Sequence, residues 1–226
     1  MKIAMYERDG VRGIAVLSPE GLRGVPEGGP GWPGDLDSLI ERGADLREVG
    51  DRLASAPVLD PEGISYLPPL GRPSKILCIG LNYRDHSTET GLKLPDYPAV
   101  FARFPSCLVG HGRPLVKPAV SDQFDYEGEL VAVIGRRARN VQREEALDVV
   151  VGYSAFNEAS VRDYQMRTSQ WTVGKNFDGT GAFGPVLVTP DELPPGARGV
   201  RIRTLLNGRT VQDGTTSDMV FDVADL

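Results

Sequence analysis

The chain reads as mainly β with α, an α+β fold, on three observations. Short segments rich in β-branched and other apolar residues recur beyond residue 74, at Lys75 to Gly80, Val100 to Phe104, Leu130 to Gly135 and Val200 to Leu206. Each has strand length and is bounded by turn-forming or charged residues. Asn207-Gly208 separates Thr204-Leu205-Leu206 from Thr210-Val211-Gln212; both residues accept positive φ, which a two-residue hairpin turn requires. Helical periodicity, by contrast, is confined to a few stretches.

Taken in order, Lys2 to Tyr6 and Gly13 to Leu17 are strand-like pieces separated by turns. Leu36, Leu39, Ile40, Leu46, Val49 and Leu53 then fall on one helical stripe, interrupted by Gly43, where a residue lacking a side chain weakens the helix. Tyr66-Leu67-Pro68-Pro69-Leu70-Gly71-Arg72-Pro73 breaks both helices and ladders, and the expected division is a small N-terminal α/β domain over 1–70 and a larger domain over 74–226. In the larger part, Glu144 to Val150 reads as a helix and Ala159 to Gln165 as a second; the antiparallel strands surround them. No internal repeat or low-complexity segment occurs.

Composition narrows the function classes. The formal net charge is −6 with a pI near 5.1, which provides no electrostatic footprint for nucleic acid; Arg136-Arg137-Ala138-Arg139 is a short surface turn. Apolar runs are too short to span a membrane, and the N-terminus lacks the apolar core of a signal peptide, so a cytoplasmic protein without nucleic-acid or membrane partners is expected. Cys78 and Cys107 are the two cysteines; without metal-ligand spacing they read as reduced and partly buried.

The most informative junction is Asp125-Tyr126-Glu127-Gly128-Glu129, which runs into Leu130-Val131-Ala132-Val133-Ile134. Side chains alternate along a strand, so Asp125, Glu127 and Glu129 share a face with Val131 and Val133. Carboxylates that close together in a partly buried place repel one another and lose hydration, and each needs a cation, donors or a raised pKa to stay there. A divalent metal is one solution, and oxygen-only ligands favour Mg²⁺, Mn²⁺ or Ca²⁺ over zinc. The other reading is the wet face of an edge strand.

Further candidates follow. Of the two histidines, His111 sits in a glycine-flanked turn, whereas His86 has Glu89 three residues on, one helical turn away. A carboxylate beside an imidazole fixes its tautomer and raises its basicity, as a general base requires; alternatively Asp85 caps a surface helix and the pair is incidental. Glu158, in Phe156-Asn157-Glu158-Ala159, can complete a metal shell, or Asn157 can be a helix cap beside a solvated Glu158. Lys175, among Gly and aromatic residues, can pair with an anionic substrate or be an exposed lysine.

In combination these segments resemble the fumarylacetoacetate hydrolase family, in the branch of bacterial acylpyruvases and 2-hydroxyhepta-2,4-diene-1,7-dioate isomerases. The resemblance covers nearly everything after residue 74: Ile79-Gly80-Leu81-Asn82-Tyr83 with His86 and Glu89, Asp125 to Leu130, Gly152-Tyr153 through Arg162-Asp163, Lys175-Asn176-Phe177-Asp178, and Thr216-Ser217-Asp218-Met219. It implies a mixed β-sandwich roll, a Mg²⁺ or Mn²⁺ ion (Ca²⁺ as a third candidate) held by Glu127, Glu129 and Glu158, a water-activating dyad of His86 and Glu89, Lys175 as a substrate contact, and a homodimer. Two departures stand out. The third metal ligand is commonly Asp in the family, whereas here it is Glu158, and the chain is expected to lack the family's C-terminal strands because it stops at Leu226.

The activity that follows is metal-dependent hydrolysis of a carbon-carbon bond in dicarbonyl acids of the acylpyruvate or fumarylpyruvate type. The alternatives are isomerisation or decarboxylation of 2-hydroxydienoates or oxaloacetate in aromatic degradation, and a catalytically silent binding protein.

Overall fold

The computed structural model describes residues 1–84 and 95–226. It is mostly sheet with few helices, the α+β class expected. The backbone opens with three antiparallel strands, β1 (Lys2–Arg8), β2 (Val11–Ser18) and β3 (Gly21–Pro26). The predicted helical stripe divides into α1 (Leu36–Glu41) and α2 (Leu46–Ala54). The break falls at Gly43, whose φ of +68° no side chain favours. Asp35 and Asp45 cap the two helices by accepting backbone N–H groups. Their buried Leu36, Leu39, Leu46, Val49 and Leu53 close over Ile3, Met5, Ile14 and Val16 of the sheet in one apolar core.

After β4 (Ser65–Leu67), β5 (Ile76–Gly80) pairs with β6 (Ala99–Arg103) as a separate two-stranded sheet. The chain then forms β7 (Leu108–Gly110), β8 (Phe124–Asp125), β9 (Gly128–Ile134), β10 (Val150–Glu158) and β11 (Ser160–Val161). Short helices α3 (Arg162–Gln165) and α4 (Thr172–Lys175) precede β12 (Gly181–Phe183) and β13 (Leu187–Val188). The hairpin announced by Asn207-Gly208 is β14 (Arg201–Leu206) and β15 (Arg209–Thr215), and both turn residues have positive φ, +52° and +80°.

Among the described residues the main sheet has nine strands, in the order β3-β2-β1-β13-β10-β12-β7, with β4 beside β1 and β9 beside β10. All its pairings are antiparallel except β7 with β12. Hydrogen bonding from β1 to β13 carries the sheet from the N-terminal strands into the later part of the chain.

Two local readings are corrected. The stretch read as a helix from Glu144 is a 3-10 helix, Arg143–Val149, with no buried residue; its apolar Ala146, Leu147 and Val149 are only half-buried, so little packing supports a longer helix. The stretch from Ala159 to Gln165 is helical only from Arg162, because Ser160 and Val161 are drawn into a ladder with Asp125 and Phe124.

Close approach of α3 to α4 depends on Gly174, where an added Cβ would lie 2.3 Å from the backbone nitrogen of Gln165. Gly174→Ala should therefore destabilise the protein by about 1–3 kcal/mol, read as a Tm lowered by several degrees in a thermal melt; an unchanged Tm would contradict this packing.

Candidate active site

The site is built on the pairing of β9 with β10, which sets Phe156 opposite Glu129, Asn157 opposite Gly128 and Ser154 opposite Val131. Residues directly opposed share a face, so Glu129, Val131, Phe156 and Glu158 lie together on one side while Leu130, Ala132 and Tyr153 pack on the other. The Glu158 N–H donates to the Glu127 carbonyl at 2.8 Å, extending the register past the end of the strand. The run expected as one strand is divided at Tyr126-Glu127, with Asp125 in β8 paired to Ser160. Asn157 is no helix cap: it lies in β10, and its Oδ1 accepts the Glu127 N–H at 3.2 Å.

Among the described residues, strand β9 pairs only with β10 in the main sheet, so its other edge needs cover. Gln212 of β15 supplies part of it, accepting from the Gly128 N–H at 2.9 Å and donating to the Gly128 carbonyl at 2.8 Å. A Cβ at Gly128 would sit 2.5 Å from Thr204 Oγ1, so the hairpin occupies the side away from the carboxylates. The wet-edge reading is half correct: β9 is an edge strand, but Glu127 and Glu129 are turned inward and partly buried.

Three donors converge on one oxygen of Glu127. Lys175 Nζ lies 2.7 Å, Arg162 Nη1 2.6 Å and Ser160 Oγ 2.8 Å from its Oε1. Burial works against the charge, but Lys175 and Arg162 outweigh it and hold the Glu127 carboxyl below its ordinary range. Lys175 is 2% exposed and also stands 3.5 Å from Glu158 Oε1; it bridges two carboxylates instead of reaching solvent. Its position is set by Asn176, which receives the Phe104 N–H at 2.7 Å and donates to the Ala102 and Thr172 carbonyls at 3.0 and 2.9 Å. The Phe101 ring lies 5.0 Å from the ammonium.

Glu158 is buried, and its Oε1 has no hydrogen-bond partner among the described residues. Burial raises its carboxyl, with Lys175 opposing and Glu127 adding to the shift. Glu129 is pushed up to about 8, by burial first and then by the charges of Glu127 and Glu158. Two phenomena thus meet here: a carboxylate oxygen without a hydrogen-bond partner among the described residues, and a carboxyl that burial and then repulsion push up. Both are what a hard divalent cation relieves, and an all-oxygen donor set suits Mg²⁺, Mn²⁺ or Ca²⁺. The residues present fit such an ion, with Glu127, Glu129 and Glu158 able to hold it, although among the described residues no ready-made cluster of three His, Cys, Asp or Glu ligands is formed.

Several neighbours were not singled out by sequence. Arg162 ties Asp125 to Glu127, its Nε 2.9 Å from Asp125 Oδ2. Arg103, 2% exposed, stands 3.5 Å from Glu158 Oε1. Cys78 lies opposite Phe101 in the β5–β6 pair, and burial followed by the Glu158 charge raises its thiol. Tyr83, whose phenol is raised by burial and then by Glu129, bridges to Met219, and Asn82 receives the Phe221 N–H at 2.9 Å. An arginine sharing a strand face with Phe101 was the available signal for Arg103. His86 and Glu89 lie outside the described residues. His111 is away from this cluster, its ring edge-on to Tyr66 with centroids 5.5 Å apart.

The raised Glu129 carboxyl has a consequence for stability. Between the unfolded value of 4.5 and about 8 the folded state retains a proton that the unfolded chain releases, so stability falls as pH rises through that window. In metal-free protein, Glu129→Gln should raise stability by about 1–3 kcal/mol at pH 9 and by little at pH 4. Melts of chelator-treated protein across this range check it; parallel pH profiles for the two proteins would contradict it.

Among the described residues no helix is long and apolar enough to cross a membrane. Residues 75–226 match the fumarylacetoacetate (FAA) hydrolase C-terminal family. The chain is 36% identical over 201 residues to a mitochondrial oxaloacetate tautomerase of Homo sapiens, covering 87% of this chain and 64% of that protein. It is 42% identical over 163 residues to an oxaloacetate tautomerase of Bacillus subtilis, covering 70% of this chain and 54% of the relative. The chain thus spans less than two thirds of the length of either curated relative. A solved fumarylacetoacetate hydrolase from psychrophilic Exiguobacterium antarcticum superimposes with a TM-score of 0.84 at 34% identity, covering 100% of this chain and 79% of that one. On its sequence match, its fold and its relatives, this chain belongs to the fumarylacetoacetate hydrolase family.

Proposed function

We propose that this chain carries a divalent-cation-assisted site for 2-oxo dicarboxylic acids and that its reaction is keto-enol interconversion of oxaloacetate. The observation that carries the reading is the buried grouping of Glu127, Glu129 and Glu158 around Lys175, and the identity to two oxaloacetate tautomerases supports the substrate. Among the readings of the sequence this takes the isomerase alternative ahead of hydrolysis.

A cation held by Glu127, Glu129 and Glu158 would supply Lewis-acid polarisation and a template for a carboxylate beside a carbonyl. The rest falls to the chain. Arg162 and Ser160 occupy Glu127 Oε1 together with Lys175, which keeps that carboxylate ionised and fixed. The Lys175 ammonium, desolvated and held in place, stabilises the negative charge that gathers on O2 as the C3 proton leaves. His86, oriented by Glu89, is the proposed carrier of that proton between C3 and O2.

A hydrolytic reading has one specific support, the 34% identity to the Exiguobacterium hydrolase over the whole chain. It uses the same cation and the same lysine but requires His86 and Glu89 to activate water that attacks the distal carbonyl of an acylpyruvate. The two separate by product: hydrolysis of an acylpyruvate releases pyruvate together with a second carboxylic acid, whereas tautomerisation leaves the carbon skeleton of oxaloacetate intact.

Following the loss of enol absorbance of oxaloacetate in Mg²⁺ or Mn²⁺ should show turnover above the buffer rate. Glu127→Gln should return it to the buffer rate while the fold is retained, and Lys175→Met should lower kcat by about 10²-fold or more. Unchanged turnover in Glu127→Gln would sink the assignment.

A further inference from the structure

Arg103 is fully enclosed, and its hydrogen bonds go to neutral acceptors. Nε donates to Cys107 Sγ at 3.2 Å, Nη1 to the Ala159 carbonyl at 3.3 Å and Nη2 to Thr180 Oγ1 at 2.9 Å. A buried guanidinium usually spends its donors on a carboxylate, because leaving the charge uncompensated is costly. Here the facing carboxylate is Glu158, yet its Oε1 stays 3.5 Å from Arg103 Nη1 and 3.5 Å from Lys175 Nζ, hydrogen-bonded to neither. The chain also makes room for this arrangement at Gly181, where a Cβ would lie 3.2 Å from Arg103 Nη2. The oxygen is therefore flanked by cations on two sides while it accepts no hydrogen bond among the described residues.

We propose that Arg103 is a positioning residue of the cation site: held by Cys107, Ala159 and Thr180, it fixes Glu158 close enough to balance its charge and far enough to leave Oε1 free for the cation. The role matters because Glu158 is one methylene longer than the aspartate common at this position, and a longer side chain has more rotamers to restrict. A guanidinium clamped from behind restricts them without consuming the oxygen. Groups that orient a metal ligand in this way contribute to affinity although they never touch the ion. The inference rests on Glu127, Glu129 and Glu158 being the cation ligands.

The test is Mn²⁺ binding to the full chain, followed by electron paramagnetic resonance of free and bound ion, with circular dichroism to establish folding. Arg103→Met should weaken Mn²⁺ binding by about tenfold or more, and Arg103→Lys, which keeps a cation there, should stay within about threefold of the wild type. In a Glu158→Gln background the further loss from Arg103→Met should fall below about threefold, because the carboxylate through which Arg103 acts is gone. Wild-type affinity in Arg103→Met, or losses that simply multiply in the double variant, would overturn the proposal. Failure of the wild-type chain to bind Mn²⁺ at millimolar ion would overturn the cation assignment itself, and with it this inference, a result distinguishable from the first because it appears before any substitution. If Arg103→Met does not fold, Arg103→Gln, also uncharged, carries the same comparison.

Discussion

The antiparallel register of β9 and β10 is the constraint on which the site depends. With Phe156 opposite Glu129 and the Glu158 N–H closed on the Glu127 carbonyl, three carboxylates meet on one face of two neighbouring strands. A slip by one residue would turn each side chain of the slipped strand to the opposite face, separating Glu158 from the β9 pair and taking Phe156 away from the core it shares with Val133 and Phe183. Apolar burial thus holds in place a polar grouping that would not assemble on its own. Gly128 sits at the centre of this arrangement: it allows Thr204 and Gln212 to pack against the strand where any side chain would collide.

An acidic cluster in such a place demands cations, and the chain brings them from three elements: Arg103 from β6, Arg162 from α3 and Lys175 from α4. Their distribution is uneven. Glu127 Oε1 is saturated by Lys175, Arg162 and Ser160, while Glu158 Oε1 is flanked by charges but bonded to neither, and Glu129 is pushed up by burial and then by its acidic neighbours, with Lys175 opposing. A grouping built only for stability would satisfy its buried acceptors or replace them with apolar residues of similar volume. One buried carboxylate oxygen without a hydrogen bond and a second carboxyl pushed up at the same spot are what the proposed cation would relieve.

The acidic pair was legible because period-two alternation sets Glu127 and Glu129 beside Val131 and Val133 whatever the rest of the fold does. The Asn-Gly hairpin and the helix break at Gly43 were legible for a similarly local reason, positive φ. The companions of the acids were not. Lys175 reaches Glu127 across 48 positions and Arg103 reaches Ala159 across 56, and no local pattern encodes such distances. Burial of a lysine or arginine is rare enough that each is read by default as solvated. The helix expected from Glu144 failed in the other direction: its residues favour helix, but tertiary packing fully buries none of them.

The floor of this site is neutral between the reactions that the family's chemistry offers. Carboxylates that hold a cation and an ammonium beside a developing oxyanion lower the cost of an enolate whether it is formed by loss of a C3 proton or expelled from a cleaved carbon-carbon bond. What separates the two reactions is whether a water molecule is held and deprotonated next to the distal carbonyl, a matter for the groups facing the floor. Tyr83 bridges to Met219, and Arg84 Nη1 lies 3.1 Å from the Met219 carbonyl, while burial and then the Glu129 charge raise the Tyr83 phenol, so Tyr83 is one group beside the carboxylates. On the function proposed above, reaction subtype is a property of the groups that face the carboxylates and not of the carboxylates themselves, since both reactions draw on the same stabilised enolate.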